Sequence, residues 1–256
     1  MKRRIDQLLV ERGYAESRHK AQALLMAGQV LVKEKKIEKP GQLVEADADV
    51  RLLRQLRFAS RAGAKLQAAL DQFNISVAGR VCADLGASTG GFTDCLLQNG
   101  AARVYAFDVG KGQLAWKLQG DARVVVHDEY NVRMLRPADI PGGLSFICID
   151  LSFISVTKVL LPLRDALCCS ERQHAGQPVP PVIDIVILVK PQFEAGKGEV
   201  GKGGVVRDPV RRNRALEGVS TYAAQNGFQV MGNMQSPIAG THGNMEFLLY
   251  LIYSKS

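Results

Sequence analysis

A glycine-rich turn follows the apolar residues VCA, in the sequence DLGASTGGF that begins at Asp84. Dinucleotide-binding turns have the spacing GxGxxG and bring the backbone close to a pyrophosphate. Here the glycines are Gly86, Gly90 and Gly91, in the spacing GxxxGG, and an aspartate precedes them. A carboxylate directed into the turn would repel a pyrophosphate and attract an ammonium group. We therefore expect a ligand that is cationic at this point and carries no phosphate there.

S-adenosylmethionine has these properties, because it carries an α-amino group, a carboxylate for backbone N–H groups and a sulfonium. The residues of the turn that we expect to bind it are Asp84, Gly86, Ser88, Gly90, Gly91 and Phe92. Asp108 ends the next predicted strand and is expected to accept hydrogen bonds from both ribose hydroxyls. Asp128 follows the third strand and is expected to accept one from the adenine amino group. The alternative is a glycine turn that only lets a helix pack on the sheet.

Two lysines and two acidic residues form a second set of candidates. They are Lys65 in SRAGAKL, Asp150 in CIDLSFIS, Lys190 in LVKPQFE and Glu246 in GNMEFLLY. Asp150 and Lys190 each end a predicted strand, where a side chain leaves the core and can reach a ligand. The proline after Lys190 stops the strand and fixes the position of the lysine. Any one of the four could instead form an ordinary ion pair at the edge of a sheet.

The segment GKGEVGKGG, residues 196–204, contains the GxxxxGK of a phosphate-binding loop. Gly203 stands where such a loop needs Ser or Thr to bind Mg²⁺, and no strand leads directly into the segment. We therefore reject a nucleotide triphosphatase and favour a basic flap over an RNA backbone, with a solvated loop as the alternative. The segment 168–181 is polar and rich in proline, as is typical of a connection.

From residue 75 onward the pattern alternates between strands and helices. Near-continuous apolar strands separated by helices indicate a parallel sheet that is buried on both faces. In such sheets ligands bind beyond the carboxyl ends of the strands, where DLGASTGGF falls. The predicted strands are 81–84, 103–108, 122–126, 145–150 and 183–189, and the predicted helices are 92–99, 113–119 and 154–169.

Residues 1–58 have a different pattern and an excess of five basic residues, with 13 Lys and Arg against 8 Asp and Glu. Two short helices are predicted in 3–13 and 17–28, the second capped by Ser17. The strand VLV is followed by a charged turn, KEKKIEKPG, and VRLL (50–53) closes a small sheet, while RLLRQLRFA (51–59) links this part to the remainder. Four basic residues near the helix starts are expected to contact RNA phosphates together with helix N–H groups: Arg3, Arg4, Arg18 and Lys20.

The composition limits the class of protein. The chain has 256 residues, a net charge of +8, 46% hydrophobic and 23% charged residues, which is typical of a soluble globular protein with a polyanionic partner. No apolar run approaches the roughly 20 residues that cross a bilayer, and the N-terminus lacks a signal-like apolar region, so we expect a cytosolic protein. The five cysteines form no CxxC pair and the histidines are scattered, so we expect no metal site.

Residues 1–58 resemble the α-L RNA-binding module first described in ribosomal protein four of the small subunit, and a small oligomerisation domain is the alternative. Residues 60–253 resemble the FtsJ-like ribose methyltransferases, and the whole chain resembles the TlyA/hemolysin-A-like ribosomal RNA 2′-O-methyltransferases. The segments that carry the resemblance are SRAGAKL, DLGASTGGFTDCLL, FDVGKGQL, NVR, DLSFIS, LVKPQFE, KGGVVRDP and HGNMEF.

The resemblance implies an α/β fold: a Rossmann-like class I methyltransferase over 59–256, with a mostly parallel seven-stranded sheet, and a small α+β RNA-binding domain over 1–58. It implies ribosomal RNA or a ribosomal subunit as the partner, and a catalytic Lys-Asp-Lys-Glu tetrad formed by Lys65, Asp150, Lys190 and Glu246. A ribose 2′-OH is a poor nucleophile at neutral pH, so an enzyme must take or share its proton. A free lysine has a pKa of about 10.4, and a nearby ammonium and partial burial favour the neutral amine. We therefore assign Lys190 as the proton acceptor and Lys65 as the second positive charge, held by the two carboxylates.

Two other functions are weighed against this one. The first is an RNA-binding ribosome-assembly factor with an idle methyltransferase fold, which would bind the cofactor without transferring a methyl group. The second, suggested by the family name, is a membrane-active haemolysin, but no amphipathic helix with a basic face is evident. The modified nucleotide, the subunit that carries it and the oligomeric state stay open.

Overall fold

The structure, a computed structural model, describes residues 2–26, 28–52, 57–169, 180, 182–196, 200–201 and 203–254. The chain divides into two compact units, residues 1–56 and 57–256, each with its own core. Parts of three predicted segments lie outside the described residues: 53–56 of the linker, 170–179 and 181 of the polar connection, and 197–199 and 202 of the expected flap.

The first unit is a small α+β domain. Its elements are β1 (Lys2–Arg4), α1 (Ile5–Glu11), α2 (Arg18–Met26), β2 (Val30–Val32), β3 (Lys35–Ile37), β4 (Leu43–Glu45) and β5 (Val50–Leu52). The strand order is β3-β2-β5 in one sheet, and β1 pairs with β4 in another. Both predicted helices are present, and Ser17 Oγ accepts a hydrogen bond from the backbone N of Lys20 at 3.2 Å, as expected for a cap.

The segment predicted as one charged turn is partly wrong, because residues 35–37 form β3, antiparallel to β2. The turn itself is short and uses Lys33 and Glu34, which both have positive φ. The strand β3 was not predicted because two of its three residues are exposed lysines and only Ile37 is buried in the core.

The second unit is built on one seven-stranded sheet. Its elements are α3 (Ala62–Gln72), β6 (Val81–Leu85), α4 (Gly91–Gln98), β7 (Arg103–Phe107), α5 (Trp116–Gln119), β8 (Val124–His127), β9 (Leu144–Ile149), α6 (Thr157–Cys169), β10 (Val182–Val189), α7 (Pro191–Glu194), α8 (Pro209–Gln225), β11 (Phe228–Gln235) and β12 (Phe247–Ser254). The strand order is β11-β12-β10-β9-β6-β7-β8. Five neighbouring strands, from β10 to β8 in this order, are parallel, and β12 is antiparallel to both of its neighbours.

This sheet confirms the predicted Rossmann-like architecture. Two apolar clusters cover its faces, because side chains that alternate along the central strands are buried on both sides. Leu85, Ile147 and Ile149 belong to one cluster, and Cys82, Phe146 and Cys148 belong to the other. The carboxyl ends of β6, β7, β8, β9 and β10 therefore share one edge of the sheet, which we call the C-terminal edge.

The helices differ more from the prediction than the strands. The helix expected at 113–119 is reduced to α5, and the one expected at 154–169 begins later, at Thr157. Among the described residues no helix is long and apolar enough to span a membrane, and no group of three or more His, Cys, Asp or Glu is arranged to hold a metal ion.

Candidate active site

A cavity of about 820 Å³ opens at the C-terminal edge. Segments that follow all five parallel strands line it: residues 86 and 88 after β6, 108–109 after β7, 130–133 after β8, 150–155 after β9 and 192–193 after β10. The volume is within the range of ordinary ligand pockets, and the position is the one at which parallel α/β sheets bind ligands. The cavity is therefore the candidate active site.

Asp108 fits the predicted contact with a ribose. It lines the cavity, and its Oδ2 accepts a hydrogen bond from the backbone N of Ser88 at 2.8 Å. Its Oδ1 accepts one from the backbone N of Gly110 at 2.7 Å. A carboxylate has about four acceptor positions, so two stay available for the two hydroxyls of a ribose. The donors that hold Asp108 also fix its orientation.

The glycines of the turn have different neighbours. Gly86 lines the cavity and has φ +94°, and a Cβ placed on it would lie 2.3 Å from the backbone oxygen of Asp150. A Cβ on Gly90 would lie 2.3 Å from the Leu118 side chain, and one on Gly91 would lie 2.2 Å from Ser60 Oγ. These two glycines therefore allow α5 and the segment before α3 to pack closely.

The cavity lining supports the prediction for only part of this turn. Gly90, Gly91 and Phe92 do not line the cavity, and Phe92 is 2% exposed and belongs to the core. The alternative given above, a turn that only lets a helix pack on the sheet, fits the second half of the turn, Gly90 to Phe92. Gly86 and Ser88, in the first half, do line the cavity, so a contact with the cofactor stays a prediction for these two.

Asp84 lies behind the turn and does not line the cavity. Its side chain is 0% exposed, Oδ2 accepts a hydrogen bond from Thr93 Oγ1 at 2.6 Å, and Oδ1 has no hydrogen-bond partner among the described residues. Burial is the main cause that raises the pKa of Asp84 to about 7; the Thr93 hydrogen bond opposes this effect and the charge of Asp150 adds to it. The predicted direct contact with the cofactor amino group is therefore not supported by this geometry, although the carboxyl supports the turn from inside.

Asp128 also does not line the cavity, and its Oδ2 accepts a hydrogen bond from the backbone N of Gly112 at 2.8 Å. Instead, Tyr130, Asn131 and Val132, from the segment just after it, line that side. The motif NVR was a sequence signal for this segment. An adenine contact of Asp128 stays a prediction without geometric support.

The strand register brings three members of the predicted tetrad to neighbouring positions on the C-terminal edge. Val189 pairs with Phe247, so Lys190 at the end of β10 and Glu246 before β12 are adjacent across the antiparallel pair. Ile187 pairs with Ile149 in the parallel pair, so Asp150 follows the end of the next strand. The fourth member, Lys65, lies on α3.

The four side chains form two ion pairs. Lys65 Nζ lies 2.5 Å from Glu246 Oε2, and both side chains are almost fully buried. Lys190 Nζ lies 2.6 Å from Asp150 Oδ1, without the alignment of a hydrogen bond, and donates a hydrogen bond to Ser152 Oγ at 2.9 Å. Ser152 lines the cavity and was not singled out in the sequence. Each lysine thus contacts a carboxylate, as predicted.

Phe153 has an unusual backbone and exposure for an aromatic residue. Its φ is +64°, in the left-handed region that bulky residues rarely adopt, and the residue is 92% exposed. Its ring lies 5.2 Å from that of Phe193, and both line the cavity. Backbone strain at an exposed residue beside a cavity is typical of functional sites.

Comparison with known proteins identifies the family. The FtsJ-like methyltransferase family matches residues 58–253 and the S4 domain family matches residues 3–50. The chain belongs to the FtsJ-like methyltransferase family. S-adenosylmethionine is its cofactor, and the carboxylate of Asp108 with its two remaining acceptor positions fits the ribose of that molecule.

Full-length relatives share both parts. The chain is 45% identical over 250 residues to the 16S/23S rRNA (cytidine-2′-O)-methyltransferase TlyA of Mycobacterium tuberculosis, which covers 97% of this chain and 89% of the relative. A solved structure of a candidate hemolysin from Streptococcus thermophilus has a TM-score of 0.73 and 42% identity, over 100% of this chain and 90% of that one. A candidate S-adenosylmethionine-dependent methyltransferase from Listeria monocytogenes shares the fold alone, with a TM-score of 0.53 and 13% identity over 77% of this chain and 100% of that one.

The S4 domain of this FtsJ-like methyltransferase contains the four predicted RNA-binding residues, and each of them contacts an acidic residue. Arg3 Nη1 lies 2.8 Å from Glu11 Oε1, and Lys20 pairs with Glu16. The other two, Arg4 and Arg18, both bind the buried Asp6. The four basic side chains are between 41% and 62% exposed, so these pairs leave them accessible from solvent.

The helix N–H groups that were expected to face phosphates are largely occupied in α1. The backbone N of Ile5 donates to Gln42 O at 2.9 Å, and that of Asp6 donates to Pro40 O at 3.3 Å. The backbone N of Gln7 donates to the Asp6 carboxylate at 3.0 Å. This part of the prediction is wrong for α1, because β4 and the loop before it cover the start of the helix.

Proposed function

We propose that this methyltransferase transfers the methyl group of S-adenosylmethionine to the 2′-hydroxyl of a ribose in ribosomal RNA. The Mycobacterium tuberculosis relative is named for this reaction at cytidine in 16S and 23S rRNA, which makes cytidine the first nucleotide to test. The S4 domain and the excess of basic residues in 1–58 support an RNA substrate.

The observation that carries the proposal is the contact of Lys190 with two residues that line the cavity, Asp150 and Ser152. Lys190, with Asp150 at 2.6 Å and Ser152 at 2.9 Å, is the proton acceptor for the ribose hydroxyl. When the neutral amine of Lys190 accepts the hydroxyl proton, the ammonium that forms is stabilised by the Asp150 carboxylate. Asp150 and Ser152 also line the cavity, so a hydroxyl that reaches Lys190 from the cavity meets both.

Lys65 and Glu246 have a supporting role in the proposal. Their contact is buried, so the charge of Lys65 is held in place and is only weakly screened by solvent. A fixed cation near the reacting hydroxyl favours the oxyanion character that develops as the proton leaves. A Cβ on Gly240 would lie 1.9 Å from Glu246 Oε1, so a glycine there gives the carboxylate its room.

The cofactor, when bound, supplies an electrophilic methyl group on its sulfonium. Asp108 would hold its ribose, and the backbone around Gly86 and Ser88 would lie beside it. The apolar residues Val109 and Val132 would pack against the adenine. Because the cavity is lined by segments from five strands, the same residues that hold the cofactor exclude water from one side of the reacting hydroxyl.

Incubation of the full chain with methyl-labelled cofactor and separated ribosomal subunits tests the proposal. Alkaline cleavage needs a free 2′-OH, so the labelled nucleotide should appear as a gap in an alkaline ladder, and a 2′-deoxy substrate should accept no label. Label on the deoxy substrate would show that a base is the target. Cofactor binding without transfer to any ribosomal RNA would support the assembly-factor alternative.

The Lys190→Ala variant tests the assigned proton acceptor. It should lose transfer and keep cofactor affinity in calorimetry, because the proton acceptor is not one of the residues expected to bind the cofactor. Lys117→Ala is the matched control, since Lys117 is 57% exposed on α5 and pairs with Asp94. Transfer by Lys190→Ala at the rate of this control would contradict the mechanism.

A further inference from the structure

A fully buried carboxylate lies in the S4 domain beneath two of its basic residues. Asp6 is 0% exposed and lies between the buried Ile5 and the exposed Gln7 at the start of α1. Its Oδ2 accepts hydrogen bonds from Arg4 Nη2 at 3.0 Å, Arg18 Nε at 2.9 Å and Gln22 Nε2 at 3.2 Å. Its Oδ1 accepts hydrogen bonds from Arg4 Nε at 3.1 Å and the backbone N of Gln7 at 3.0 Å. Five donors therefore converge on one side chain.

The geometry leaves much of each guanidinium for another ligand. A guanidinium has five N–H donors, of which Arg4 uses two for Asp6 and Arg18 uses one. The two side chains are 41% and 51% exposed. Arg4 also lies over Gly41, where a Cβ would be 3.6 Å from Nη2. Both guanidiniums are thus fixed on one side by the same carboxylate and accessible on another.

We infer that Asp6 is a positioning residue that joins Arg4 and Arg18 into a single binding site for an RNA phosphate. The inference rests on the proposed function, since it takes the substrate to be RNA. Planar guanidiniums recognise phosphate through paired N–H donors, and the recognition is strongest when their orientation is set in advance. Two arginines on one carboxylate keep a net positive charge, so the site attracts an anion although a carboxylate stands at its centre.

The occupied backbone of α1 strengthens the assignment to side chains. The first three N–H groups of α1, those of Ile5, Asp6 and Gln7, have acceptors within the domain. A phosphate near this helix must therefore bind side-chain donors. Arg4 and Arg18 come from β1 and α2, and Asp6 is the shared contact that holds their guanidiniums together.

A purely structural role for Asp6 makes a different prediction. Removal of a negative charge from a surface that binds RNA should normally raise affinity, because the net charge becomes more positive. If Asp6 orients the arginines, its removal should lower affinity instead. The sign of the change therefore separates the two explanations.

The test is the Asp6→Asn variant of the full chain, with a fluorescein-labelled structured RNA hairpin as the probe and anisotropy measured over a range of salt concentrations. Asparagine keeps the shape and one acceptor, but cannot hold two guanidiniums by charge. We expect about tenfold weaker binding, as for the loss of one charge-assisted hydrogen bond, and a salt slope that is smaller by about 1. Glu11→Gln is the matched control: it makes the same charge change at an exposed residue and should bind RNA as well as wild type, or more tightly.

The second variant, Arg18→Lys with Asp6 intact, keeps the charge and removes the fork of donors. It should also bind more weakly, and adding Asp6→Asn to it should lower affinity by less than the same change does in wild type, because Arg4 is then released but Arg18 has already lost its contact. Unchanged or tighter binding by Asp6→Asn with a wild-type melting temperature, or wild-type binding by Arg18→Lys, would overturn the inference. Methyl transfer by wild type is measured separately, so a failed proposed function is recognised by absent transfer and not by these affinities.

Discussion

Replacement of Asp84 with asparagine should change how the stability of the protein depends on pH. The Asp84 carboxyl is fully buried, one of its oxygens has no hydrogen-bond partner among the described residues, and burial raises its pKa from 3.8 to about 7. The folded state therefore binds this proton more tightly than the unfolded state. Between about pH 4 and pH 7, where only the unfolded state has lost the proton, stability falls as the pH rises.

The size of the effect follows from the shift. A shift of about three pH units corresponds to about 4 kcal/mol of unfolding free energy, at about 1.4 kcal/mol per unit. Most of this loss, about 3 kcal/mol, falls between pH 5 and pH 8. The asparagine side chain of the variant carries no proton to lose, so this part of the pH dependence should disappear. The buried amide costs about 1–3 kcal/mol at every pH, because its N–H groups lack acceptors.

The assay is urea denaturation at pH 5 and pH 8, monitored by hydrogen exchange of the β6 amides, so that unfolding of the unit 57–256 is measured. The unfolding free energy of Asp84→Asn relative to wild type should rise by about 3 kcal/mol from pH 5 to pH 8. Asp165→Asn is the matched control, since that carboxylate is 65% exposed on α6 and contacts its neighbour Arg164. A difference between Asp84→Asn and wild type that stays constant over this pH range would refute the reasoning.

Three further substitutions test the site. Gly86→Ala should lower the unfolding free energy by several kcal/mol and abolish cofactor binding in calorimetry, because its Cβ would lie 2.3 Å from the backbone oxygen of Asp150. Gly112→Ala is the control: its φ is +61° but the space around it is open, so it should lower the unfolding free energy by only about 1–2 kcal/mol. Phe153→Gly should raise the unfolding free energy in urea by about 1 kcal/mol, because glycine relieves the strain at φ +64°; a decrease would contradict this. Glu246→Gln should lower the unfolding free energy by about 3 kcal/mol and slow methyl transfer, because Lys65 loses its buried counter-charge. In a double-mutant cycle with Lys65→Met, additive changes in the unfolding free energy would show that the two side chains do not interact.

The five parallel strands and the position of the site could be predicted because both follow from local patterns, whereas β11 and β12 were not among the predicted strands. Continuous apolar segments such as IDIVILV form central parallel strands, and residues just after them, such as Asp150 and Lys190, must lie on the C-terminal edge. The contact of Glu246 was not predictable in the same way. It depends on β12 lying between β10 and β11, an order that only the complete sheet determines.

The role of each glycine in the turn could not be read from the sequence, for a physical reason. A glycine shows that the backbone needs space or positive φ, but the sequence does not say what occupies that space. For Gly91 the neighbour is Ser60, and for Gly90 it is Leu118, both of which are distant in sequence. Asp84 shows a similar ambiguity, since a strand buried on both faces has no alternation to indicate which way a side chain points.

The pairing of each lysine with a carboxylate reconciles two opposite electrostatic demands on this enzyme. The cofactor is cationic at its sulfonium, so two unpaired ammonium groups beside the cavity would oppose its binding, and the repulsion would be strong where the side chains are buried. The RNA substrate that we propose is a polyanion and needs positive charge. In this chain Lys65 and Lys190 each contact a carboxylate, so the tetrad has no net charge when all four groups are ionised. Residues 1–58 carry an excess of five basic residues, so the positive charge that an RNA substrate would need does not have to come from the residues that we expect to surround the cofactor.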